Sequence, residues 1–143
     1  MEVYESDSEA ETLRIAQAFG SRLRPPATIL LTGGLGAGKT VFTKGIVTAL
    51  GVPGEQVVRS PSFSLVNVYD TPHGRVYHVD LYRLESSYDL QSIGFEEILA
   101  DPAIVIVEWA ERLAFPIPGA YLVRIEIDPV TDKRRVEIES TSG

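Results

Sequence analysis

The sequence predicts a single α/β domain over residues 1–143, with a mixed parallel and antiparallel sheet flanked by helices. Two observations support this fold class. Residues 28–32, TILLT, form a short apolar run that a glycine-rich loop and an amphipathic helix follow, as at the start of a βα unit. Residues 63–70 and 75–82 look like strands and are joined by a turn, TPHG, at 71–74, which predicts an antiparallel hairpin.

The other elements follow from local patterns along the chain. Residues 8–23 carry apolar side chains at helical spacing, and Ser8 with Glu11 resembles a capping box at the start of that helix. Residues 39–50 present one broad apolar face, which predicts the helix after the glycine loop. The remaining predicted elements are short helices within 86–100 broken at Gly94, a buried strand at 103–109, and an alternating strand pair at 121–127 and 134–140.

Composition narrows the class of function. The formal net charge is −7 and the pI is about 4.8, which argues against direct binding of a nucleic-acid backbone but allows work on RNA through a basic partner. The chain has no cysteine, which excludes disulfides, a thiol nucleophile and thiolate metal ligands. Because the sequence shows neither a signal-peptide pattern nor an apolar run long enough to span a bilayer, a cytoplasmic protein without membrane contact is expected.

A phosphate-binding loop is the strongest functional signal. Residues 33–40, GGLGAGKT, satisfy the pattern G-x-x-x-x-G-K-[ST] of P-loop proteins, and they lie between an apolar strand and an amphipathic helix as that motif requires. Its glycines let backbone N–H groups converge on phosphate oxygens, and the helix N-terminus adds partial positive charge. Lys39 is predicted to reach the β- and γ-phosphates, and Thr40 to offer its hydroxyl to Mg²⁺. A chance glycine loop is the alternative, which this context disfavours.

The nucleotide is predicted to be ATP. GTPases usually carry an N-K-x-D motif that reads the base and a D-x-x-G switch motif, and the sequence contains neither.

Two carboxylates are candidates for the metal site. Glu108 follows the apolar residues 104–107, at the position where a P-loop enzyme commonly holds its second metal ligand; the alternative is a solvent-facing strand end. Asp80 alternates with His78 and Tyr82 on one strand face. That polar face could front a site or face water, and the pattern leaves both open.

Three further features carry weaker signals. Ser60 and Ser62 could present hydroxyls to the γ-phosphate or its Mg²⁺, although a turn pinned by a proline explains the same segment. Trp109 follows a buried strand and is more typical of a core position than of a ligand contact. The basic triplet at 133–135 is typical of a solvated turn, although it could touch the nucleotide or an acidic partner.

Five segments together resemble the TsaE (YjeE) family of bacterial P-loop ATPases, which act in tRNA threonylcarbamoyladenosine biosynthesis. They are, in order, GGLGAGKT, SPSFSLVNVY, YHVDLYRL, GFEEIL and IVIVEWAERL. Many proteins share the P-loop alone, whereas SPSF, HVDLYRL and VEWAER are much more specific, and the resemblance covers nearly the whole chain. It implies a small P-loop domain that hydrolyses ATP with Mg²⁺ to keep a threonylcarbamoyl-transferase complex cycling. The implied partners are the transferase subunit and its pseudo-enzyme partner, of TsaD and TsaB type, with tRNA contacted only indirectly.

The resemblance also assigns roles to residues. It implies Lys39, Asp80 and Glu108 as catalytic residues, with Thr40 and Glu108 on Mg²⁺ and Asp80 either in the metal shell or orienting the attacking water. The implied nucleotide-binding residues are Gly33, Leu35, Gly36, Ala37, Gly38, Lys39, Thr40, Val41, Ser60, Ser62, Asp80, Trp109 and Arg134.

Two positions depart from the family pattern. Val41 stands where the family often has a second threonine, so one hydroxyl near the α-phosphate is missing. Ser62 replaces the usual threonine of the segment and keeps its hydroxyl.

No arginine of the sequence is obviously aimed at the γ-phosphate, so slow turnover alone and faster turnover in the complex are expected. Two other functions stay open. One is a nucleotide-gated interaction module with incidental hydrolysis. The other is a small-molecule kinase, for which no arginine-rich lid is recognisable.

Overall fold

The computed structural model describes residues 1–34, 36–54, 66–82, 87–113 and 115–140, without the side chains at 87 and 88. Its strands are β1 (Glu2–Ser6), β2 (Ala27–Gly33), β3 (Val66–Thr71), β4 (Gly74–Asp80), β5 (Ile104–Glu108), β6 (Tyr121–Ile127) and β7 (Arg134–Ser140). Its helices are α1 (Glu9–Gly20), α2 (Lys39–Ala49), α3 (Ser87–Ser92) and α4 (Phe95–Ala100), with a 3-10 helix at Ala110–Arg112.

The strands form one seven-stranded sheet in the order β1-β7-β6-β2-β5-β4-β3. β2 is parallel to β5 and β6, and β5 is parallel to β4. The other pairings, β1 with β7, β6 with β7 and β3 with β4, are antiparallel. The predicted mixed sheet is therefore confirmed, and the carboxyl ends of β2, β4 and β5 meet at one edge, where ligands bind in open α/β sheets.

Helices cover both faces of the sheet. α1 and α2 pack on one face, where Phe19 and Phe42 lie with ring centroids 6.0 Å apart. α3, α4 and the 3-10 helix pack on the other face against residues such as Leu30 and Val79. All five residues of β5 are buried, because this strand lies inside the sheet and under both layers, which explains its continuous apolar run.

Small residues let α1 and α2 approach closely. A Cβ atom added at Gly45 would lie 2.4 Å from the Cβ atom of Ala16, and one added at Gly20 would lie 2.9 Å from the Cα atom of Ile46. α1 ends at Gly20 rather than at the predicted residue 23.

The start of α1 differs in detail from the predicted capping box. Ser8 Oγ accepts the backbone N–H of Glu11 at 3.1 Å, as predicted. The carboxylate of Glu11, however, accepts the N–H of Asp7 at 3.3 Å rather than that of Ser8.

The first strand was not predicted from the sequence. β1 pairs with β7 at the sheet edge, and its EVYES sequence is too polar and too short to stand out. Its last residue, Ser6, is buried and hydrogen-bonds Thr12 Oγ1 at 2.7 Å, which ties the strand to α1.

Within the described ranges, no helix combines the length and apolar character that a membrane crossing requires.

Candidate functional site

A cavity of about 450 Å³ opens at the carboxyl edge of the sheet. Of the residues predicted to bind nucleotide, metal or phosphate, ten line it: Gly36, Ala37, Gly38, Lys39, Thr40, Val41, Asp80, Glu108, Trp109 and Arg134. Gly33 does not line the cavity, but its carbonyl oxygen accepts a hydrogen bond from Nζ of Lys39. Leu35, Ser60 and Ser62 lie outside the described residues.

The backbone of the glycine loop requires glycine at specific positions. Gly36 and Gly38 have φ values of +79° and +110°, in the left-handed region that side chains disfavour. Gly33 has a φ of +144°, and a Cβ atom there would lie 2.2 Å from the carbonyl oxygen of Ile125 on β6. Gly38 is the N-cap of α2, so the positive end of that helix faces the cavity.

Lys39 is held inside the loop. Its side chain is 5% exposed, and Nζ donates to the carbonyl oxygens of Gly33 at 2.5 Å and Gly34 at 2.9 Å. Nζ also lies 3.8 Å from the ring centroid of Trp109, a cation–π contact. Burial lowers the pKa of the Lys39 ammonium, while nearby carboxylates, Glu111 foremost, oppose that shift. This ammonium is therefore a preorganised positive charge beside the cavity.

Glu108 is the centre of a buried polar cluster. It is 1% exposed, so the alternative of a solvent-facing strand end is wrong. Its Oε1 accepts from Thr40 Oγ1 at 3.0 Å, and its Oε2 accepts from Thr43 Oγ1 at 3.3 Å and contacts Nε2 of the buried His78. The cluster joins β4, β5 and α2, and it turns Oε1 toward the P-loop threonine.

Asp80 faces the cavity rather than open water. It lies beside Glu108 in the parallel register of β4 and β5, and its Oδ1 accepts the N–H of Tyr82 at 2.9 Å. Burial raises the pKa of the Asp80 carboxyl and the charge of Glu108 adds to the rise, whereas the Tyr82 N–H opposes it.

Trp109 forms one wall of the cavity and also packs against the core on the sheet face that α3 and α4 cover, so the expected core role is only part of its environment. Its φ of +58° is unusual for a bulky residue and redirects the chain directly after Glu108. Its ring lies 5.0 Å from that of Tyr82. The guanidinium of Arg112 lies 5.8 Å from both ring centroids. An arginine therefore lies near the site, which the sequence did not indicate.

The donors present fit Mg²⁺ better than a metal held wholly by protein. Over the described parts of the chain, no cluster of three or more His, Cys, Asp or Glu side chains could enclose a metal ion. The hydroxyl of Thr40 and Oε1 of Glu108 are hard oxygen ligands 3.0 Å apart. Mg²⁺ typically takes one or two protein ligands and completes its shell with water and phosphate, so this pair suits it.

Sequence reasoning missed several contributors. Glu9 and Thr12 also line the cavity, and Glu111 accepts the Gly33 N–H at 3.3 Å. Tyr82, which strand alternation placed with Asp80 on a face that could front a site, lines the cavity too. Thr43 lies one turn beyond Lys39 on α2, and this spacing was the only available signal that it faces the same way as the P-loop. The contributions of Glu9 and Thr12 depend on how α1 packs, which no local motif encodes.

The chain is similar to known proteins over most of its length. Residues 6–136 match the family described as Threonylcarbamoyl adenosine biosynthesis protein TsaE. Proteins named tRNA threonylcarbamoyladenosine biosynthesis protein TsaE are 40% identical in Aquifex aeolicus, covering 92% of this chain and 91% of that protein, and 38% identical in Treponema pallidum, covering 91% and 93%. The one from Rickettsia bellii is 35% identical, covering 91% and 88%.

A solved structure has a similar fold. The crystal structure of YdiB from Bacillus subtilis matches with a TM-score of 0.78 and 27% identity, over 99% of this chain and 86% of that one. With its glycine loop, buried glutamate and mixed sheet, the chain belongs to the TsaE family.

Proposed function

We propose that the protein binds ATP with Mg²⁺ and hydrolyses it to support the complex that makes tRNA threonylcarbamoyladenosine. The observation that carries this proposal is the bond between Glu108 and the P-loop hydroxyl of Thr40, at 3.0 Å in a cavity beside Lys39. A glycine loop serving only as a turn would need neither a buried carboxylate nor a buried ammonium at this place. The names of the relatives supply the pathway.

Each part of the site has a role in phosphoryl transfer to water. The loop amides and the N-terminus of α2 hold the phosphates, and Lys39 neutralises charge that builds on the β- and γ-phosphates. Thr40 and Glu108 would hold Mg²⁺, which would neutralise further phosphate charge when bound. Asp80 would position water in line, since its carboxylate faces the same cavity.

Two other residues are proposed to contact the nucleotide. Arg134 lies near the loop, since a Cβ atom at Gly38 would be 3.7 Å from Arg134 Nε. Trp109 lines the same cavity, and its ring face also holds the Lys39 ammonium beside it. Val41 lines the cavity without a hydroxyl, so it offers only apolar contact where the family often has threonine.

The partners are proposed to be a threonylcarbamoyl-transferase subunit and its pseudo-enzyme partner, of TsaD and TsaB type, in the cytoplasm. The names of the relatives and the net charge of −7 support this arrangement, because an acidic chain suits a protein partner better than a direct hold on tRNA.

Steady-state phosphate release tests the proposal. The chain is assayed with ATP and Mg²⁺, alone and with the transferase pair, and Lys39→Ala is the blank. Slow release alone, stimulated by the pair and lost in Lys39→Ala, is expected. Equal rates with and without the pair would contradict partner dependence.

Two further measurements distinguish the ATPase from the interaction module and from the kinase. Glu108→Ala is expected to stop both phosphate release and tRNA modification in the reconstituted system. If modification survives without hydrolysis, ATP acts only as a binding signal. Label from γ-phosphate that appears on a molecule other than water would instead indicate a kinase.

A further inference from the structure

An apolar groove lies outside the nucleotide cavity and shares no lining residue with it. It has a volume of about 300 Å³ and lies between α3, α4 and the chain that follows the 3-10 helix. Its lining residues are Leu90, Gln91, Phe95, Glu96, Glu97 and Phe115. The GFEEIL segment, residues 94–99, supplies three of them but none of the residues that line the nucleotide cavity. Nucleotide binding therefore does not explain the side chains at this groove.

The floor of the groove is apolar. Leu90 and Phe95 are 7% and 2% exposed and belong to the core on this face of the sheet. Phe115 is 44% exposed, and its ring centroid lies 6.4 Å from that of Phe95. An exposed phenylalanine beside an apolar depression is the kind of surface that binds an anchoring side chain of another protein.

The rim of the groove carries unpaired negative charge. Glu96 and Glu97 are exposed, and over the parts of the chain that the structure describes, neither forms an ion pair. Acidic side chains in the first turn also stabilise α4, but that role does not require an exposed phenylalanine beside them. An apolar floor with a negative rim suits Lys or Arg, whose stems cover apolar surface while their charged ends reach the carboxylates.

Charge distinguishes three kinds of occupant for the groove. The carboxylates at the rim repel an RNA backbone. A second copy of this chain carries a net charge of −7, and two of its basic side chains, Lys133 and Arg135, already pair with acidic neighbours. A protein that holds tRNA, by contrast, must present exposed Lys and Arg. Because this acidic chain is not expected to hold tRNA itself, that basic surface belongs to its protein partners.

We propose that the groove docks a basic segment of the transferase pair. An apolar side chain of that segment packs against Phe95 and Phe115, and flanking Lys or Arg side chains pair with Glu96 and Glu97. The identity of the partner rests on the proposed function, whereas the groove and its charge do not.

The groove is connected to the nucleotide site through the core. Leu90 and Phe95 pack in the same apolar cluster as Ala110 and Trp109, and Phe115 follows the 3-10 helix that begins directly after Trp109. An occupant of the groove would therefore restrain the chain directly after β5, which gives the partner a route to raise the rate of hydrolysis.

Two sets of substitutions test the docking site. Phe115→Ser removes the exposed ring from the groove. The double substitution Glu96→Gln with Glu97→Gln removes the charge of the rim with little change in side-chain shape. Because none of these residues lines the nucleotide cavity, phosphate release by each variant alone should match that of the wild-type chain.

Each set has a matched control toward the β1 end of the sheet. Val130→Ser removes an apolar side chain that is 89% exposed in the turn between β6 and β7. Glu5→Gln with Glu139→Gln removes two exposed charges, on β1 and β7. Thermal unfolding reports whether each variant is folded.

Fluorescence anisotropy of the labelled chain, titrated with the transferase pair in the presence of ATP and Mg²⁺, measures the affinity. Phe115→Ser is expected to weaken binding about tenfold or more, as loss of an aromatic anchor typically does. The glutamine double substitution is expected to weaken binding less and to make it less sensitive to added salt, because charges at a rim act mainly through long-range attraction. Both controls should bind the pair as the wild-type chain does.

Wild-type affinity in both groove variants would overturn the docking site, as would equal losses in the matched controls or a wild-type chain that does not bind the pair. A dimer of the chain, seen by analytical ultracentrifugation and dissociated by Phe115→Ser, with affinity for the pair unchanged, would make a second copy the occupant. If the chain releases no phosphate from ATP in any mixture, the proposed function fails, but the affinity series still decides the groove.

Discussion

At the scale of the single residue, Gly33 shows how one side chain would break the loop. A Cβ atom there would lie 2.2 Å from a β6 carbonyl oxygen, and φ is +144°. Gly33→Ala is therefore expected to lower the free energy of unfolding by about 1–3 kcal/mol and to abolish nucleotide binding. Gly34→Ala is the matched control, since nothing lies within 4 Å of a Cβ atom there. Chemical denaturation and ATP binding are the measurements, and equal effects of the two variants would contradict the steric argument.

Replacement of Asp80 is expected to change stability and activity in opposite directions. Burial raises the pKa of its carboxyl, so the folded state resists an ionisation that the unfolded state allows. Asp80→Asn keeps the acceptor for the Tyr82 N–H and is expected to raise stability at pH 7 while lowering phosphate release.

The pH dependence of this gain in the free energy of unfolding shows whether it comes from the ionisation of Asp80. Below the ordinary aspartate pKa of 3.8 both states are protonated, so Asp80→Asn and the wild-type chain should be equally stable. The gain should grow as pH rises above that value and level off above the raised folded pKa. A gain that is constant with pH would instead indicate a packing effect. Denaturation midpoints across this pH range are the measurement.

Residues with a local signal could be predicted, and the rest could not. Lys39 and Thr40 follow from a motif whose spacing encodes phosphate binding, and Glu108 follows from the strand before it. Thr43 and Glu111 were missed because their contacts cross between elements and depend on packing. Strand alternation made Asp80 a candidate but left open whether its face of the strand fronts a site or faces water, and only the family resemblance favoured the site.

At the scale of the element, the contact of α1 with α2 sets where the phosphate loop can lie. Gly45→Ala should favour an isolated helix by about 1 kcal/mol. In the protein we expect a net destabilisation of about 1–3 kcal/mol, because the new Cβ atom would lie 2.4 Å from that of Ala16. Lys44→Ala, on the exposed side of α2, should change stability by about 0.5 kcal/mol or less. Urea denaturation compares them, and a stabilised Gly45→Ala would show that the helices can separate.

Long apolar or alternating elements were predictable, and polar edges were not. β6 and β7 agree with their predicted ranges, 121–127 and 134–140, because each alternates over its whole length. β1 was missed because an edge strand that only pairs with β7 needs little apolar character. The position of β7 between β1 and β6 brings Arg134 to the cavity, and no pattern along the chain encodes that order.

At the scale of the whole molecule, the charge distribution indicates whether the chain by itself could bind tRNA. Against the net charge of −7, the sequence offers one basic triplet, at 133–135. The structure shows that it is not a free basic patch. Lys133 pairs with Asp7 at 3.7 Å, Arg135 pairs with Glu137 at 3.0 Å, and Arg134 lines the cavity.

The chain alone is therefore expected not to bind tRNA measurably at physiological salt, because phosphate-backbone binding requires clustered and unpaired Lys and Arg. Fluorescence anisotropy of labelled tRNA, titrated with the chain, with the transferase pair and with both, is the measurement. Binding only when the pair is present, with Lys133→Ala indistinguishable from the wild-type chain, would fit the indirect role. Saturable binding by the chain alone that weakens steeply with added salt would contradict it, and would make the protein a direct tRNA ligand.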